Sequence, residues 1–273
     1  MSLETYAYIV GELEQCIAAL ETFIPLPERI KESDGFVFRH KDEHKIPELA
    51  AFLKAVRIVS LLNASLTLLR EGYTQAVYIL CRAIDESVED IIFLSVEPPD
   101  ENAKKRRTEF LDDFYQEEFA DSDDPLSSIS RKTVGRKHIR AALGAIPTPI
   151  FDPSLQNHIS KSLAQVYSGF VHGAYGFIME LFGGWPPRFH TNSMAETPPA
   201  AACEEEFKNQ VYRSIVAVNA VARSFGQADM SARLKELAEG FDDAVECRGN
   251  EGMEKLRKRL NGLPSRRTTK KAD

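Results

Sequence analysis

Apolar residues recur at spacings of three and four along most of the chain, which is the pattern of amphipathic α-helices. Over residues 3–24 the apolar positions share one face, acidic residues lie between them, and Pro25 ends the run. The same pattern predicts further helices over 47–69, 74–96, 100–119, 131–143, 154–182, 202–225, 229–247 and 251–261.

The predicted helices 47–69 and 74–96 are joined by the short segment REGYT, in which Gly72 is a helix stop signal. A short connection of this kind favours an antiparallel helical hairpin. Helix 74–96 carries apolar residues on both sides, as expected of a helix at the centre of a bundle. The sequence therefore predicts an all-α, antiparallel helical bundle built round a central helical hairpin at about 47–96.

The remaining segments define the expected domain organisation. DGFVF at 34–38 is a candidate for a short extended piece, and 183–201 carries the longest loop signal. Residues 1–250 are predicted to form the bundle domain. Residues 251–273 are predicted to form a C-terminal helical arm that ends in a basic, disordered tail.

Composition narrows the expected compartment and partners. The formal net charge is −7, which argues against broad binding to nucleic acid or anionic membranes. Four cysteines without a CxxC pair favour a reducing compartment. The N-terminal segment lacks a positive n-region, and no charge-free apolar window of about 18 residues occurs. A cytoplasmic protein without a membrane span is expected, and the absence of nucleotide-binding signatures predicts no cofactor.

Arg82 and Glu86 form the first candidate site. They lie one turn apart on helix 74–96, on a face that also carries apolar residues. Charges in such a position must be paired or hydrogen-bonded. Two interpretations stay open: a functional pair, and a partly buried salt bridge that fixes the register of the helix.

The segment YSGFVHGAYG at 167–176 is the second candidate. On a helical wheel Ser168, His172 and Tyr175 cluster away from the apolar stripe, and three glycines lie beside them. Such a glycine strip predicts the close approach of another helix, which would place His172 in a groove between helices. The alternative is a core histidine with one satisfied ring nitrogen.

HKDEH at 40–44 matches an inverted zinc-peptidase pattern, with His40 and His44 as ligands and Glu43 as the base. Two histidines share one face only on a helix, whereas Pro47 follows at once and the preceding segment is not helical. A charged turn without a metal is the favoured interpretation.

Aromatic residues mark the loop 183–201 as a third candidate. It holds Trp185, the only tryptophan, together with Phe189 and His190. Long loops in compact domains are often lids or binding loops, so these residues are candidate binding residues together with Tyr175. The alternative is a surface loop whose aromatic rings cover the adjacent core.

Residues 62–94 and 167–190 together resemble a group of uncharacterised bacterial helical proteins related to the HEPN domains, with an R…E helix and a later S…VHG helix. The resemblance implies that Arg82, Glu86, Ser168 and His172 are shared polar positions, and it implies no particular activity. HEPN ribonucleases carry an arginine and a histidine with four to six residues between them, and no arginine stands at that spacing before His172. Matches elsewhere run from Arg39 to His44 and from Arg131 to His138.

The resemblance makes a HEPN-like interaction or regulatory module, acting in stress or phage defence, the leading expectation. The alternative is a metal-independent ribonuclease in which His172 does acid–base work, Arg82 stabilises charge and Glu86 orients the arginine. A zinc hydrolase at His40, Glu43 and His44 is a third interpretation. RNA, a protein partner and a second copy of the chain are all retained as partners.

Overall fold

Helices dominate the computed structural model, which describes residues 3–32, 35–116, 124, 126–131, 133–144, 153–247 and 250–262. The elements are α1 (Leu3–Glu21), β1 (Glu28–Glu32), β2 (Gly35–Arg39), α2 (Pro47–Arg70), α3 (Thr74–Ser95), α4 (Glu101–Tyr115), α5 (Arg136–Gly144), α6 (Pro153–Val171), α7 (Tyr175–Met179), β3 (Phe182–Gly183), β4 (Arg188–Phe189), α8 (Pro198–Ser224), α9 (Ala228–Glu239), α10 (Phe241–Val245) and α11 (Glu251–Asn261).

The predicted central hairpin is confirmed as α2 and α3. Gly72 adopts φ +76° between them, and the N–H of Tyr73 donates to the carbonyl of Leu68 at 2.9 Å. This is the left-handed glycine cap that ends a helix and reverses the chain. Helix α3 packs against α2, α5, α6 and α8, so the helix that is apolar on both sides is central, as expected.

The core consists of two clusters, and both include residues of α3. The larger cluster joins α1, α2, α8, α9 and α11 through residues such as Leu13, Leu62 and Ile215, which are fully buried. The smaller one lies between α3, α6 and α8 and includes Tyr167 and Cys203. Because both clusters are built by helices packing on helices, the all-α bundle is confirmed.

Strands are confined to two short antiparallel ribbons within the described residues. The extended piece predicted near 34–38 is confirmed as β2, which pairs with β1 in a hairpin. The expected loop 183–201 instead contains part of the ribbon β3–β4, and α8 begins inside it at Pro198. The Thr197 side chain caps α8 by accepting from the N–H of Ala200 at 3.4 Å.

The single helix predicted over 154–182 is wrong. Helix α6 ends at Val171, and Gly173 follows with φ +60°. The N–H of Ala174 donates to the carbonyl of Gly169 at 2.9 Å, and the N–H of Gly173 donates to that of Phe170 at 3.2 Å. These bonds form a Schellman motif, which ends the helix because glycine adopts the left-handed conformation without a Cβ clash.

The C-terminal helices pack into the bundle. The helix predicted over 229–247 is divided at Gly240 into α9 and α10. Leu256 and Leu260 of α11 are about 1–2% exposed and belong to the same core as α1. The predicted basic tail lies outside the described residues. Among those residues α2 is the one helix long and apolar enough to cross a membrane, and more than half of that stretch is buried inside the bundle.

Candidate functional site

Four acidic residues of α3 form the electrostatic centre of the bundle. Asp85, Glu86, Glu89 and Asp90 are spaced as two i,i+4 pairs, so they cover a broad side of the helix. Asp85 and Glu89 are fully buried and Asp90 is 1% exposed, whereas the Glu86 side chain is 31% exposed. Three buried carboxylates on one helix require cationic partners to offset their lost hydration.

Cations from three other helices supply those partners. Nε of Arg140 donates to Oε1 of Glu89 at 2.7 Å, and Nη1 of Arg136 donates to Oδ1 of Asp90 at 2.5 Å. Nζ of Lys54 on α2 lies 2.9 Å from the other Asp90 oxygen. Helix α5, which carries both arginines, is therefore attached to α3 through ion pairs as well as through its buried Ile139.

Asp85 is the least well satisfied member of this group. Its Oδ1 lies 2.7 Å from Nη2 of Arg213 on α8, but neither carboxylate oxygen has a partner in hydrogen-bond geometry. Burial raises the pKa of Asp85, although Arg213 and Arg140 oppose the rise. Burial also raises the pKa of Glu89, against the hydrogen bond from Arg140. Both carboxyl groups hold their protons more tightly than they would in water.

The Arg82–Glu86 salt bridge that the spacing suggested is present. Nη2 of Arg82 lies 2.6 Å from Oε1 of Glu86, and Nη1 donates to the carbonyl of Ala164 on α6 at 2.6 Å. Arg82 thus joins α3 to α6 while Glu86 fixes the orientation of the guanidinium group. The side chains of both residues keep about a quarter to a third of their surface exposed, so the pair lies at the edge of the bundle.

An open depression at that edge brings several of the predicted residues together. It has a volume of about 450 Å³ and lies where α3, α5 and α6 meet. Three cationic side chains contribute to its lining, and among the described residues no carboxylate does. The lining residues are Arg82, Arg140, Lys161, Ala164, Gln165, Ser168, Gly169, His172 and Ala174. Arg82, Ser168 and His172 therefore share one surface, with Glu86 behind the arginine.

His172 is exposed, so the alternative of a core histidine is wrong. The chain leaves α6 at this residue, and the Schellman motif at Gly173 turns it towards α7. The predicted close approach of another helix is found at Gly169, where a ring of α7 packs, and not at Gly176. A Cβ on Gly169 would lie 1.9 Å from the Phe177 ring, whereas a Cβ on Gly176 would meet nothing within 4 Å. Gly169 therefore makes room for a ring of α7.

The other predicted binding residues lie outside this depression. Tyr175 and Trp185 are 80% and 95% exposed, and Phe189 packs edge-on against Phe182 in the ribbon β3–β4. Nε2 of His190 lies 3.1 Å from the carbonyl of Gly183, and its ring lines a separate depression near the start of α3. The aromatic rings therefore do not cover the core.

A buried polar network fixes α6 against α8 behind the depression. The Tyr167 hydroxyl donates to Glu206, and Nε2 of Gln210 donates to the Tyr167 oxygen at 2.7 Å. Burial raises the pKa of the Tyr167 hydroxyl, and the negative charge of Glu206 raises it further. This hydroxyl is therefore protonated at neutral pH and acts as a structural donor.

The HKDEH segment does not form an α-helix. Asp42–His44 is a single 3₁₀ turn, in which Nε2 of His44 lies 3.7 Å from Oε1 of Glu43. Burial and the nearby His44 lower the pKa of His40. Among the described residues, no cluster of three histidine, cysteine or acidic side chains is arranged to hold a metal ion.

Neither arginine–histidine match shares an α-helix. Arg39 ends β2 while His44 lies in the 3₁₀ turn, and Arg131 precedes α5, which contains His138. Comparison of the chain with family models, with curated proteins and with solved structures gives no match.

Sequence reasoning missed Arg140 and Lys161 as members of the depression. Both lie on amphipathic helices where a cation ordinarily faces solvent, and neither belongs to a recognisable motif. A signal for the buried acids was present, because DESVED places four charges on a helix that is apolar on both sides. At least some of these acids had to face neighbouring helices.

Proposed function

We propose that this protein is a HEPN-like helical module that binds RNA through its phosphates in the depression between α3, α5 and α6. The observation that carries the proposal is the lining of that depression, where Arg82, Arg140 and Lys161 lie beside Ser168 and His172, with no carboxylate from the part of the chain that the structure describes. Arginine, lysine and serine are among the side chains that contact phosphate oxygens. The surface thus presents cations and a hydroxyl to one ligand.

The shape of the depression favours a polymer over a small molecule. Sites for small molecules are concave and bury most of the ligand, whereas this surface is open to solvent along its length. A chain of phosphates can contact several separated cations at once without being enclosed. The open shape and the cationic lining together favour single-stranded or looped RNA.

The two arginines are held in place before any ligand arrives. Glu86 and the Ala164 carbonyl fix Arg82, while Glu89 fixes Arg140. A cation that is already oriented loses less conformational entropy on binding. Lys161 has no carboxylate partner among the described residues, so none of their carboxylates neutralises its charge.

Fluorescence anisotropy with a labelled 20-nucleotide RNA tests this proposal. Lys161→Glu places a negative charge in the depression and is expected to weaken binding at least ten-fold, with a smaller salt dependence of the affinity. Lys235→Glu is the matched control, because this exposed lysine lies on α9 and lines a different depression. Equal losses in both variants would show that only net charge matters.

Metal-independent RNA cleavage is a second candidate, because His172 lines the same depression as Arg82. In such a reaction His172 takes the proton of a ribose 2′-hydroxyl as the 2′-oxygen bonds to phosphorus, the bond from phosphorus to the 5′-oxygen breaks, and the leaving 5′-oxygen takes a proton from water. Arg82, oriented by Glu86, stabilises the negative charge that develops on the phosphorus oxygens.

One variant and one modified substrate distinguish RNA cleavage from RNA binding. His172→Ala is expected to abolish cleavage in EDTA while it keeps most of the RNA affinity. A 2′-O-methyl strand should bind the wild-type protein and resist cleavage, since it has no free 2′-hydroxyl. Undiminished cleavage by His172→Ala would exclude this candidate. Roles in stress or phage defence depend on the resemblance alone, and a cytoplasmic location stays a prediction.

A further inference from the structure

The hairpin β1–β2 presents two different faces. Its register pairs Arg29 with Phe38 and Lys31 with Phe36. Because facing residues of an antiparallel pair project to the same side, these four side chains share one surface, the basic–aromatic face. Two cations and two phenyl rings lie side by side there.

Among the described side chains of the hairpin, the acidic one lies on the opposite face. Glu28 pairs with Arg39, and Ile30 pairs with Val37, on the other side of the ribbon. The Glu28 carboxylate lies 3.2 Å from Nζ of Lys41, so its charge is neutralised there. The register thus separates this carboxylate from the basic–aromatic face.

Both rings of the basic–aromatic face are exposed. Phe36 and Phe38 are 53% and 66% exposed, although phenylalanine is ordinarily buried. The Arg29 guanidinium carbon lies 3.5 Å from the centre of the Phe36 ring, so cation and ring already form a stacked layer. Exposed rings bordered by charged groups mark interaction surfaces.

The chemistry of this face fits a ligand that alternates flat rings with negative charges. Phe36 and Phe38 are two residues apart on one strand, about 7 Å, a separation that an extended single strand spans between successive bases. Platforms for single-stranded nucleic acid combine stacking aromatic rings with cations that contact the backbone. Protein interfaces are depleted in lysine at their centre, which makes a protein partner a poorer fit.

We propose that the basic–aromatic face is a second binding surface, on which two successive bases of a single-stranded RNA stack on Phe36 and Phe38 while Arg29 and Lys31 contact its phosphates. This second proposal rests on the proposed function only for the class of ligand. The residues of the basic–aromatic face lie on β1 and β2, whereas those of the depression lie on or next to α3, α5 and α6. The two surfaces differ in what they recognise. The depression contacts phosphates, whereas the hairpin contacts phosphates and also stacks on bases.

Anisotropy with a labelled 12-nucleotide oligouridylate, and with an abasic strand of equal length, tests the second surface. The double variant Phe36→Ala/Phe38→Ala is expected to bind oligouridylate at least ten-fold more weakly. It should bind the abasic strand as the wild-type protein does. The matched control is Phe23→Ala/Leu26→Ala, which removes side chains 52% and 80% exposed outside the hairpin and should change affinity less than two-fold.

A second double variant separates loss of stacking from loss of the hairpin. Phe36→Leu/Phe38→Leu keeps apolar side chains on the strand but removes the rings, and it should weaken oligouridylate binding as the alanine variant does. Full affinity in either variant overturns the inference. So does failure of the wild-type protein to distinguish oligouridylate from the abasic strand. Binding of the abasic strand that Lys161→Glu abolishes would still support the proposed function by itself.

Similar side chains could bind an anionic membrane, so a further experiment measures binding to lipid vesicles. Co-sedimentation with vesicles of phosphatidylcholine and phosphatidylserine is expected to show no binding that depends on Phe36 and Phe38. If the alanine variant loses vesicle binding and keeps oligouridylate binding, the face is a membrane contact and the inference is wrong.

Discussion

Nε of Arg140 lies 2.7 Å from Oε1 of Glu89, whose carboxylate is fully buried on the central helix α3. This pair links the depression to the interior, because Arg140 lines the depression while Glu89 faces the ion-pair network inside. Breaking a buried pair from one side leaves an uncompensated charge, which costs far more than losing a surface pair.

We therefore expect Arg140→Met to lower the free energy of unfolding by about 3–5 kcal/mol. Urea titration measures this change. Arg257→Met is the matched control, since Arg257 pairs with Glu254 on the surface and its loss should cost about 0–1 kcal/mol. Adding Glu89→Leu to Arg140→Met should restore much of the lost stability, and equal losses in Arg140→Met and the control would contradict the prediction.

The raised pKa of Glu89 predicts the pH dependence of stability. Burial holds the pKa of this carboxyl above its ordinary value of 4.5, so the folded state binds the proton more tightly than the unfolded state does. The resulting stabilisation is fully present below the unfolded pKa and is lost as the pH rises through the folded pKa. The free energy of unfolding should therefore contain a component that falls with rising pH from about 4.5 upwards.

Glu89→Gln removes this component, because glutamine does not titrate. Urea titrations at a series of pH values should show a less negative slope of unfolding free energy against pH in the variant, whatever its absolute stability. Glu254→Gln, an exposed substitution on α11, should keep the wild-type slope. A steeper fall in Glu89→Gln than in the wild-type protein would overturn the assignment.

Substitution of two glycines near the end of α6, Gly169 and Gly176, should have different effects on stability. Gly169→Ala places a methyl group 1.9 Å from the Phe177 ring, so it should destabilise the fold by about 1–3 kcal/mol through overpacking. Gly176→Ala meets nothing within 4 Å and should be neutral or stabilising, since alanine favours the helix α7. Thermal unfolding of the two variants checks this, and equal melting temperatures would exclude the close packing of Phe177.

Two polar residues near the end of α6, Tyr167 within the helix and His172 just after it, should differ in their effect on stability. His172 is exposed, so His172→Ala should leave the melting temperature within a degree or two of the wild-type value. Tyr167→Phe removes a buried hydroxyl that bonds Glu206 and Gln210, and it should cost about 1–3 kcal/mol. A larger fall in melting temperature for His172→Ala would show that His172 is a buried core residue.

Local patterns predicted most of the helices, because a helix is specified by neighbours three and four residues away. Pro47 and Gly72 delimited α2 correctly, since proline and glycine act through their own backbone geometry. Gly173 has the same geometry as Gly72 but lies within a continuing apolar pattern. Only the packing of Phe177 on Gly169 shows why the chain turns there.

The sequence by itself determined the all-α fold, the central hairpin and the ion pair between Arg82 and Glu86, all of which depend on spacings along one chain segment. Tertiary structure alone decided that Arg140 and Lys161 join Arg82 and His172, and that Glu89 is buried. Arg140 and Glu89 are 51 residues apart. No local period specifies such a pairing, because the packing of whole helices determines which charges meet.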